Sequence, residues 1–225
     1  FTSEVERSLR VLDGAVVIVC GISGVQVQTE TVCRQSDTFK IPKIFFINKL
    51  DRDGADYGAA LDDIRIKLGY TVVPLTIPHY KDSGELAGII DLVNSTVTYT
   101  DSPIPHMFDI MENGAAAEYR EQIDNTLGEL SDEYLNHFMN NTLNTEIITR
   151  TIKELTAKRL IVPVLSGSSK KSIGLHLLLD NITGRLPSPL EAELKRGFNS
   201  IEKRGEELVD RCGSSPLLYI FKIIH

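Results

Sequence analysis

The chain has 225 residues, 42% of them hydrophobic and 24% charged, which permits one substantial core or one core with a smaller satellite domain. Its net charge of −7 argues against a broad face for a phosphate backbone, and no apolar run approaches the ~20 residues that span a bilayer, so we expect no membrane partner. The 3 cysteines form no CxxC motif, which indicates free thiols in a reducing compartment and no disulfide partner.

The first part of the chain has the pattern of a parallel sheet with helices between its strands. After a polar segment with helical spacing at Phe1 to Arg10, the unbroken β-branched run Ala15 to Val19 is typical of a strand covered on both faces. We expect a helix over Gln28 to Lys40, a second buried strand over Lys43 to Ile47 and a helix over Tyr57 to Leu68. This alternation predicts a right-handed parallel α/β sheet.

From Gly69 to Leu160 the order changes to strands followed by helices. The strands are expected over Val72 to Ile77, Leu86 to Val93 and Ser95 to Thr100. A long helix is expected over Glu118 to Asn140, because apolar residues repeat there at three- and four-residue spacing. Its opposite face is acidic and carries Glu121, Asp124, Glu129, Asp132 and Glu133. A solvated surface is the simplest interpretation of that face.

The parallel-sheet pattern then resumes with a strand over Leu160 to Leu165 and a helix over Ser172 to Leu186, which Pro187 ends. Glu191 to Arg211 is charged and is interpreted as a connector or surface helix, and Leu217 to Ile224 as a strand. We therefore divide the chain into a first domain at 1–68, an insert at 69–160, the closing strand and helix of the first domain at 161–189, a connector at 190–215 and the start of a second, β-barrel domain at 216–225.

The tetrapeptide Asn48-Lys49-Leu50-Asp51 directly follows the second buried strand, and open α/β sheets bind ligands at the carboxyl ends of their strands. Guanine presents its N1–H and its exocyclic amino group side by side, and the carboxylate of Asp51 can accept both. Adenine lacks this pair of donors, and such a site rejects it by roughly 10⁴-fold in favourable cases. The stem of Lys49 can lie along the base, and the amide of Asn48 can bridge the base edge and neighbouring loops. The alternative is that Asn48 and Asp51 only shape a turn.

A second loop, Ser166-Gly167-Ser168-Ser169, also follows a buried strand. It can turn a backbone N–H toward guanine O6, or it can be a plain strand-to-helix turn with Ser168 or Ser169 as the N-cap. The pairing of the two loops favours guanine binding.

The phosphate-binding half of a nucleotide site has no counterpart in this sequence. A Gly-x-x-x-x-Gly-Lys-Ser/Thr loop does not occur, and the histidines show no metal-ligand spacing. We therefore expect the phosphate cradle, the Mg²⁺ ligands and the group that positions attacking water upstream of Phe1. No catalytic residue or metal ligand is expected in this chain, which we expect to be inactive alone.

The motifs together resemble the elongation factor G family of translational GTPases. Phe1 to Val16 is similar to the segment that follows the switch II motif Asp-x-Pro-Gly-His in that family. Further matches are Gln28 to Gln35, Asn48 to Asp56, Gly88 to Leu92, Pro163 to Ser169 and Leu186 to Pro189. The resemblance implies a P-loop NTPase-type G domain with a parallel sheet, whose N-terminal part is absent here, interrupted by an α+β insert, the G′ subdomain.

This resemblance also implies a function, namely GTP hydrolysis on the ribosome, with GTP or GDP and Mg²⁺ as cofactors. It implies guanine contacts by the residues Asn48, Lys49, Leu50, Asp51, Gly167, Ser168 and Ser169. The large-subunit GTPase centre and stalk are the implied partners. The acidic residues Glu121, Asp124, Glu129 and Asp132 are candidates for the stalk contact.

The subtype rests on smaller features of the sequence. Cys20-Gly21, Cys33 and Ser169 differ from the usual family residues. The strand that ends at His225 and the stop Leu186-Pro-Ser-Pro189 resemble the type-2 mitochondrial, ribosome-releasing form. That resemblance implies a mitochondrial protein that recycles ribosomes with ribosome recycling factor. Four alternatives stay open. Two are close: a translocating elongation factor G, mitochondrial or bacterial and cytoplasmic, and a ribosomal-protection relative. The others are a non-catalytic GTP-binding scaffold and a nucleotide-independent interaction domain that kept only the fold.

Overall fold

In the computed structural model, the described residues are 2–188, 191, 197–199 and 204–206. Their elements in chain order are α1 (Thr2–Leu9), β1 (Ala15–Cys20), α2 (Val27–Thr38), β2 (Lys43–Asn48), α3 (Tyr57–Leu68), β3 (Val72–Pro74), β4 (Thr76–Tyr80), β5 (Leu86–Asp91), β6 (Thr96–Tyr99), β7 (Ser102–Met107), α4 (Gly114–Leu130), α5 (Asp132–Met139), α6 (Thr145–Ala157), β8 (Val162–Ser166), α7 (Leu175–Arg185), β9 (Gly197–Asn199) and β10 (Arg204–Glu206).

Four parallel strands form the sheet that carries the predicted site, in the order β1-β2-β8-β3. Residues 43–47 of β2 are all buried, as a strand with helices on both faces requires. In register, Cys20 of β1 lies beside Asn48 of β2, and Ile47 of β2 lies beside Ser166 of β8. The carboxyl ends of these three strands therefore meet at one edge. The predicted parallel α/β sheet is confirmed.

The two ends of α3 are determined by the residues that flank it. The carboxylate of Asp56 accepts a hydrogen bond from the Ala59 N–H at 2.9 Å, which caps the first turn. Gly69 ends the helix in the left-handed conformation, with φ of 71°, where a side chain would be strained. The observed bounds, Tyr57 to Leu68, are those predicted.

The insert contains an antiparallel sheet in the order β4-β5-β6-β7 and the helices α4, α5 and α6. The strand predicted at Val72 to Ile77 is in fact two strands, with β3 in the parallel sheet and β4 in the antiparallel one. Leu75 joins them, since its N–H donates to Val164 O at 2.8 Å and its carbonyl accepts from Leu92 N–H at 2.9 Å. We placed the start of the insert at residue 69. The three residues of β3, Val72–Pro74, nevertheless belong to the parallel sheet.

The edge strand β7 was not predicted, because two prolines interrupt it. Pro103 and Pro105 cannot donate to a ladder, but β7 has a strand neighbour on one side only in the described sheet. Proline is tolerated in such edge strands.

The long helix predicted at Glu118 to Asn140 is wrong, because the chain breaks at Ser131. Ser131 has extended φ and ψ of −144° and 108°, and its hydroxyl accepts from the Tyr134 N–H at 3.2 Å to cap α5. The break changes the direction of the apolar face. Leu130 is 38% exposed and Phe138 44% exposed, whereas Tyr134 is fully buried.

Beyond α7, the described residues are few. Within the predicted connector, β9 and β10 pair antiparallel, so the surface-helix interpretation is wrong for those residues. The strand predicted at Leu217 to Ile224, and with it the predicted start of a second domain, lies outside the described residues. Across the described part of the chain, no helix has the length and apolar character that a membrane crossing requires.

Candidate functional site

The two predicted loops lie side by side because they follow neighbouring strands. The N–H of Gly167 donates to the carbonyl of Ile47 at 3.0 Å, which continues the β2–β8 ladder by one step. The N–H of Leu50 then donates back to the carbonyl of Gly167 at 3.3 Å. The backbones of the two loops are thus joined before any side chain contributes.

Asn48 links the loops through its side chain. Its amide nitrogen donates to Ser169 Oγ at 2.9 Å, and its amide oxygen accepts from the Ser169 N–H at 2.9 Å. The same oxygen accepts from the N–H of Lys49 at 2.8 Å. Lys49 has a φ of 66°, so this bond stabilises a left-handed backbone that a lysine rarely adopts. The predicted bridge from Asn48 to the neighbouring loop is present.

Asp51 lies against the second loop. A hydrogen bond from the Ser168 side chain is the main cause that lowers the pKa of its carboxyl group. Partial burial opposes this shift, while the charges of Lys171 and Arg52 add to it. Asp51 is therefore ionised at neutral pH, and its partly exposed carboxylate can accept hydrogen bonds from a ligand.

The backbone donors of the second loop are nearly all engaged. The N–H groups of Gly167 and Ser168 donate to backbone carbonyls at 3.0 Å each. That of Ser169 donates to the side chain of Asn48. Within the described part of the structure, the N–H of Lys170 makes no hydrogen bond. Among the N–H groups of residues 167–170, the one left free for a ligand in this part of the structure is therefore one residue beyond the predicted loop.

One contribution to the site was not predicted. Gly21 carries a third loop, whose N–H donates to Asn48 O at 2.8 Å and whose carbonyl accepts from Asp56 N–H at 2.8 Å. A Cβ at Gly21 would lie 2.8 Å from Leu50 Cδ2, so a larger residue would have to displace the buried Leu50 side chain. Leu50 itself is 1% exposed, so its side chain anchors the first loop in the core and cannot contact a base. The sequence signal for the loop at Gly21 was the Gly-containing turn after β1.

The acidic residues of the insert do not form one face. Glu121, Glu129 and Asp132 are exposed. Asp124 has a side chain only 14% exposed, accepts from Arg120 Nε at 3.1 Å and also accepts from the Tyr134 hydroxyl. The inclusion of Asp124 in an exposed acidic face is therefore wrong, because the break at Ser131 brings Tyr134 back onto it.

A metal ion bound by this part of the chain would need a cluster of ligand side chains. Among the described residues, no group of His, Cys, Asp and Glu side chains could hold a metal ion. The described residues therefore provide no ligand cluster for the Mg²⁺ that the resemblance implies.

Comparisons with known proteins identify the family of the chain. Residues 1–188 match the family model described as "Elongation factor Tu GTP binding domain". The chain is 40% identical over 211 residues to "Elongation factor G" of Amoebophilus asiaticus, which covers 88% of this chain and 29% of that protein. It is 38% identical over 232 residues to "Elongation factor G 1" of Treponema denticola, which covers 99% of this chain and 34% of that protein.

A solved structure gives the same result at the level of the fold. A crystal structure of a Thermus thermophilus protein superposes with a TM-score of 0.75 at 27% identity, covering 85% of this chain and 29% of that one. The chain thus spans about a third of the length of the curated relatives that it matches.

Proposed function

Because this chain belongs to the elongation factor Tu GTP-binding domain family, we propose that it supplies the guanine-recognising part of a translational GTPase similar to elongation factor G. The observation that carries the proposal is the joining of two loops at adjacent strand ends. Asn48 bonds Ser169, and Ser168 bonds the ionised carboxylate of Asp51. This arrangement holds a fixed acceptor at the edge of the sheet where nucleotides bind in open α/β folds.

Guanine selectivity then follows from hydrogen bonding. The carboxylate of Asp51 accepts from both N1–H and the exocyclic amino group, and the N–H of Lys170 donates to O6. Adenine has a donor at position 6, where guanine has the acceptor O6, and its edge leaves Asp51 without a hydrogen-bond partner. A bond to a charged group contributes about 1.5–3 kcal/mol, so the loss of two corresponds to roughly 10²- to 10⁴-fold weaker binding.

The phosphate end of the nucleotide needs other parts of the protein. In the described sheet, β1 pairs only with β2, and Ile18 on β1 is 62% exposed. We propose that a further strand of the G domain, bearing the phosphate-binding loop and the Mg²⁺ ligands, covers this edge. Bound Mg²⁺ would neutralise charge on the transferred phosphoryl group.

Nucleotide competition in the full-length protein tests the proposed site. We expect GDP to displace a fluorescent GDP analogue at concentrations at least ~100-fold below those needed for ADP. Equal potency of GDP and ADP would reject guanine recognition.

For the partner of the insert, we propose the ribosomal stalk, and charge supports it. Residues 69–160 include 14 acidic and 6 basic residues, so the insert carries a net charge of −8 in a chain whose total is −7. Complementary charge mainly raises the association rate. Reversal of Glu121 and Glu129 to lysine should slow ribosome-stimulated GTP turnover and leave intrinsic nucleotide affinity unchanged. The control reverses two exposed acids elsewhere in the insert, Asp82→Lys with Asp101→Lys, and is matched in net charge. Unaltered stimulation would leave these residues as plain solvated surface.

Two roles on the ribosome remain candidates. The first is ribosome disassembly in mitochondria together with ribosome recycling factor, which the end of the sequence supports. The second is translocation of tRNA and mRNA, in mitochondria or in a cytoplasm, which the similarity to proteins named elongation factor G supports equally. Subunit splitting and tRNA translocation, both measured with the full-length protein, separate the two. A scaffold without catalysis would show neither GTP turnover nor stimulation.

A further inference from the structure

One strand of the insert reaches both base-binding loops. On β4, the hydroxyl of Tyr80 donates to the backbone carbonyl of Leu50 at 3.2 Å. At the other end of β4, Thr76 Oγ1 accepts from the Ser166 N–H at 2.8 Å and lies 2.9 Å from Ser166 Oγ. The first bond fixes the Asn48–Asp51 loop, and the second fixes the start of the Gly167–Ser169 loop.

The bond from Tyr80 acts on the peptide that precedes the base-binding carboxylate. Leu50 is held by its buried side chain and by the bond from its N–H to Gly167. The remaining polar group of Leu50 is its carbonyl, which accepts the hydrogen bond from the Tyr80 hydroxyl. That carbonyl belongs to the peptide plane shared with Asp51, so rotation of this plane would move the Asp51 side chain. Burial raises the pKa of the Tyr80 hydroxyl, and the charges of Asp56 and then Asp51 raise it further. The contribution of Asp51 shows that Tyr80 lies near it.

Thr76 forms the deeper connection. Both Thr76 and Ser166 are 1% exposed, so water cannot replace their hydrogen bonds. The carbonyl of Thr76 also accepts from the hydroxyl of Tyr57 on α3 at 3.0 Å. Thr76 therefore joins the insert, α3 and β8 at the residue immediately before Gly167.

We propose that Thr76 and Tyr80 are positioning residues, through which the insert sets the guanine selectivity of the two loops. This inference rests on the guanine site proposed above. A displacement of β4 moves both loops, so the insert is part of the base-recognition machinery as well as a surface for partners. Neither residue touches the base, and each acts through the backbone that it holds.

The test is selectivity between GDP and IDP in the full-length protein. Inosine lacks the exocyclic amino group, so the ratio of the two affinities reports how well Asp51 meets that group. Tyr80→Phe removes one oxygen, and we expect it to lower the GDP/IDP ratio by about threefold. Thr76→Val removes a buried hydroxyl and should lower the ratio by about tenfold, whereas Thr76→Ser keeps the hydroxyl and should stay near wild type. Tyr99→Phe, whose hydroxyl makes no hydrogen bond within the described structure, is the control.

The outcomes distinguish a failure of the proposed guanine site from a failure of the positioning role of Thr76 and Tyr80. A wild-type protein that binds GDP and IDP equally overturns the proposed guanine site, and this inference with it. A selective wild-type protein whose ratio is unchanged by Tyr80→Phe and Thr76→Val overturns this inference alone. If Thr76→Val does not fold, Tyr80→Phe decides, because Tyr80 is 36% exposed and its loss of one oxygen leaves the core intact.

Discussion

Replacement of Gly167 by alanine tests how tightly the second loop is packed. A Cβ at this position would lie 2.3 Å from the backbone oxygen of Ile173 and 2.8 Å from Cζ of Phe46. Neither neighbour can withdraw easily, since the Ile173 oxygen accepts a bond from Ser168 N–H and Phe46 is fully buried. Relief of the contact requires roughly 1 Å of loop movement, and overpacking of this kind costs about 1–3 kcal/mol. Because one contact is with backbone, we expect a value near the upper limit.

The same displacement should weaken nucleotide binding, since Asp51 depends on Ser168 for its position. Misplacement by 1 Å commonly costs about 10²-fold where geometry matters, so we expect GDP affinity to fall by about 10- to 100-fold. Thermal unfolding and GDP titration of the full-length protein measure the two effects. Gly184→Ala is the control, because nothing lies within 4 Å of its Cβ and the change raises helix propensity in α7. A Gly167→Ala protein with wild-type stability and affinity would refute the reasoning.

Three further predictions concern single side chains. Ser168→Ala removes the hydrogen bond that lowers the pKa of Asp51, so GDP affinity should fall about threefold at pH 7. The loss should grow as the pH is lowered to about 4, where an aspartate without this bond begins to protonate, and a loss equal at both pH values would contradict this. Asp124→Asn weakens the bond to Arg120 and should lower the free energy of unfolding by about 1–3 kcal/mol, seen in thermal unfolding, with unchanged GDP affinity. For Cys20, burial raises the pKa of the thiol, but hydrogen bonds from Ser23 and Ile22 and the charge of Lys49 outweigh it and lower the pKa to about 7. Iodoacetamide should therefore react in a fast phase that is half-maximal near pH 7, and Cys20→Ser should abolish that phase.

The parallel sheet and the positions of both loops could be predicted because their signals are local. Short apolar runs rich in β-branched residues are typical of the strands of a parallel sheet, and β1, β2 and β8 each have one. Of the three, β2 and β8 are buried along their apolar runs, whereas β1 leaves Ile18 exposed. The carboxyl ends of neighbouring parallel strands share an edge, so the nearness of the two loops follows from the strands alone. The free donor at Lys170 could not be predicted, since it depends on which N–H groups the protein itself uses.

The insert was harder to predict because its pattern misleads. The apolar spacing of three and four residues continues across Ser131, so one helix was expected where the chain turns. That turn places Tyr134 against Asp124, which no spacing rule indicates. The contacts of Thr76 and Tyr80 with the loops depend on where the two sheets meet, a property of the folded chain alone.

The Asp51→Asn variant of the full-length protein gives the most direct test of guanine recognition. An asparagine amide can accept from N1–H but donates where guanine also donates, whereas xanthine presents an acceptor there. We predict that the variant loses GTP affinity by at least ~100-fold and binds xanthosine triphosphate better than GTP. If the variant keeps wild-type affinity for GTP, Asp51 does not read the base and the proposed site is wrong.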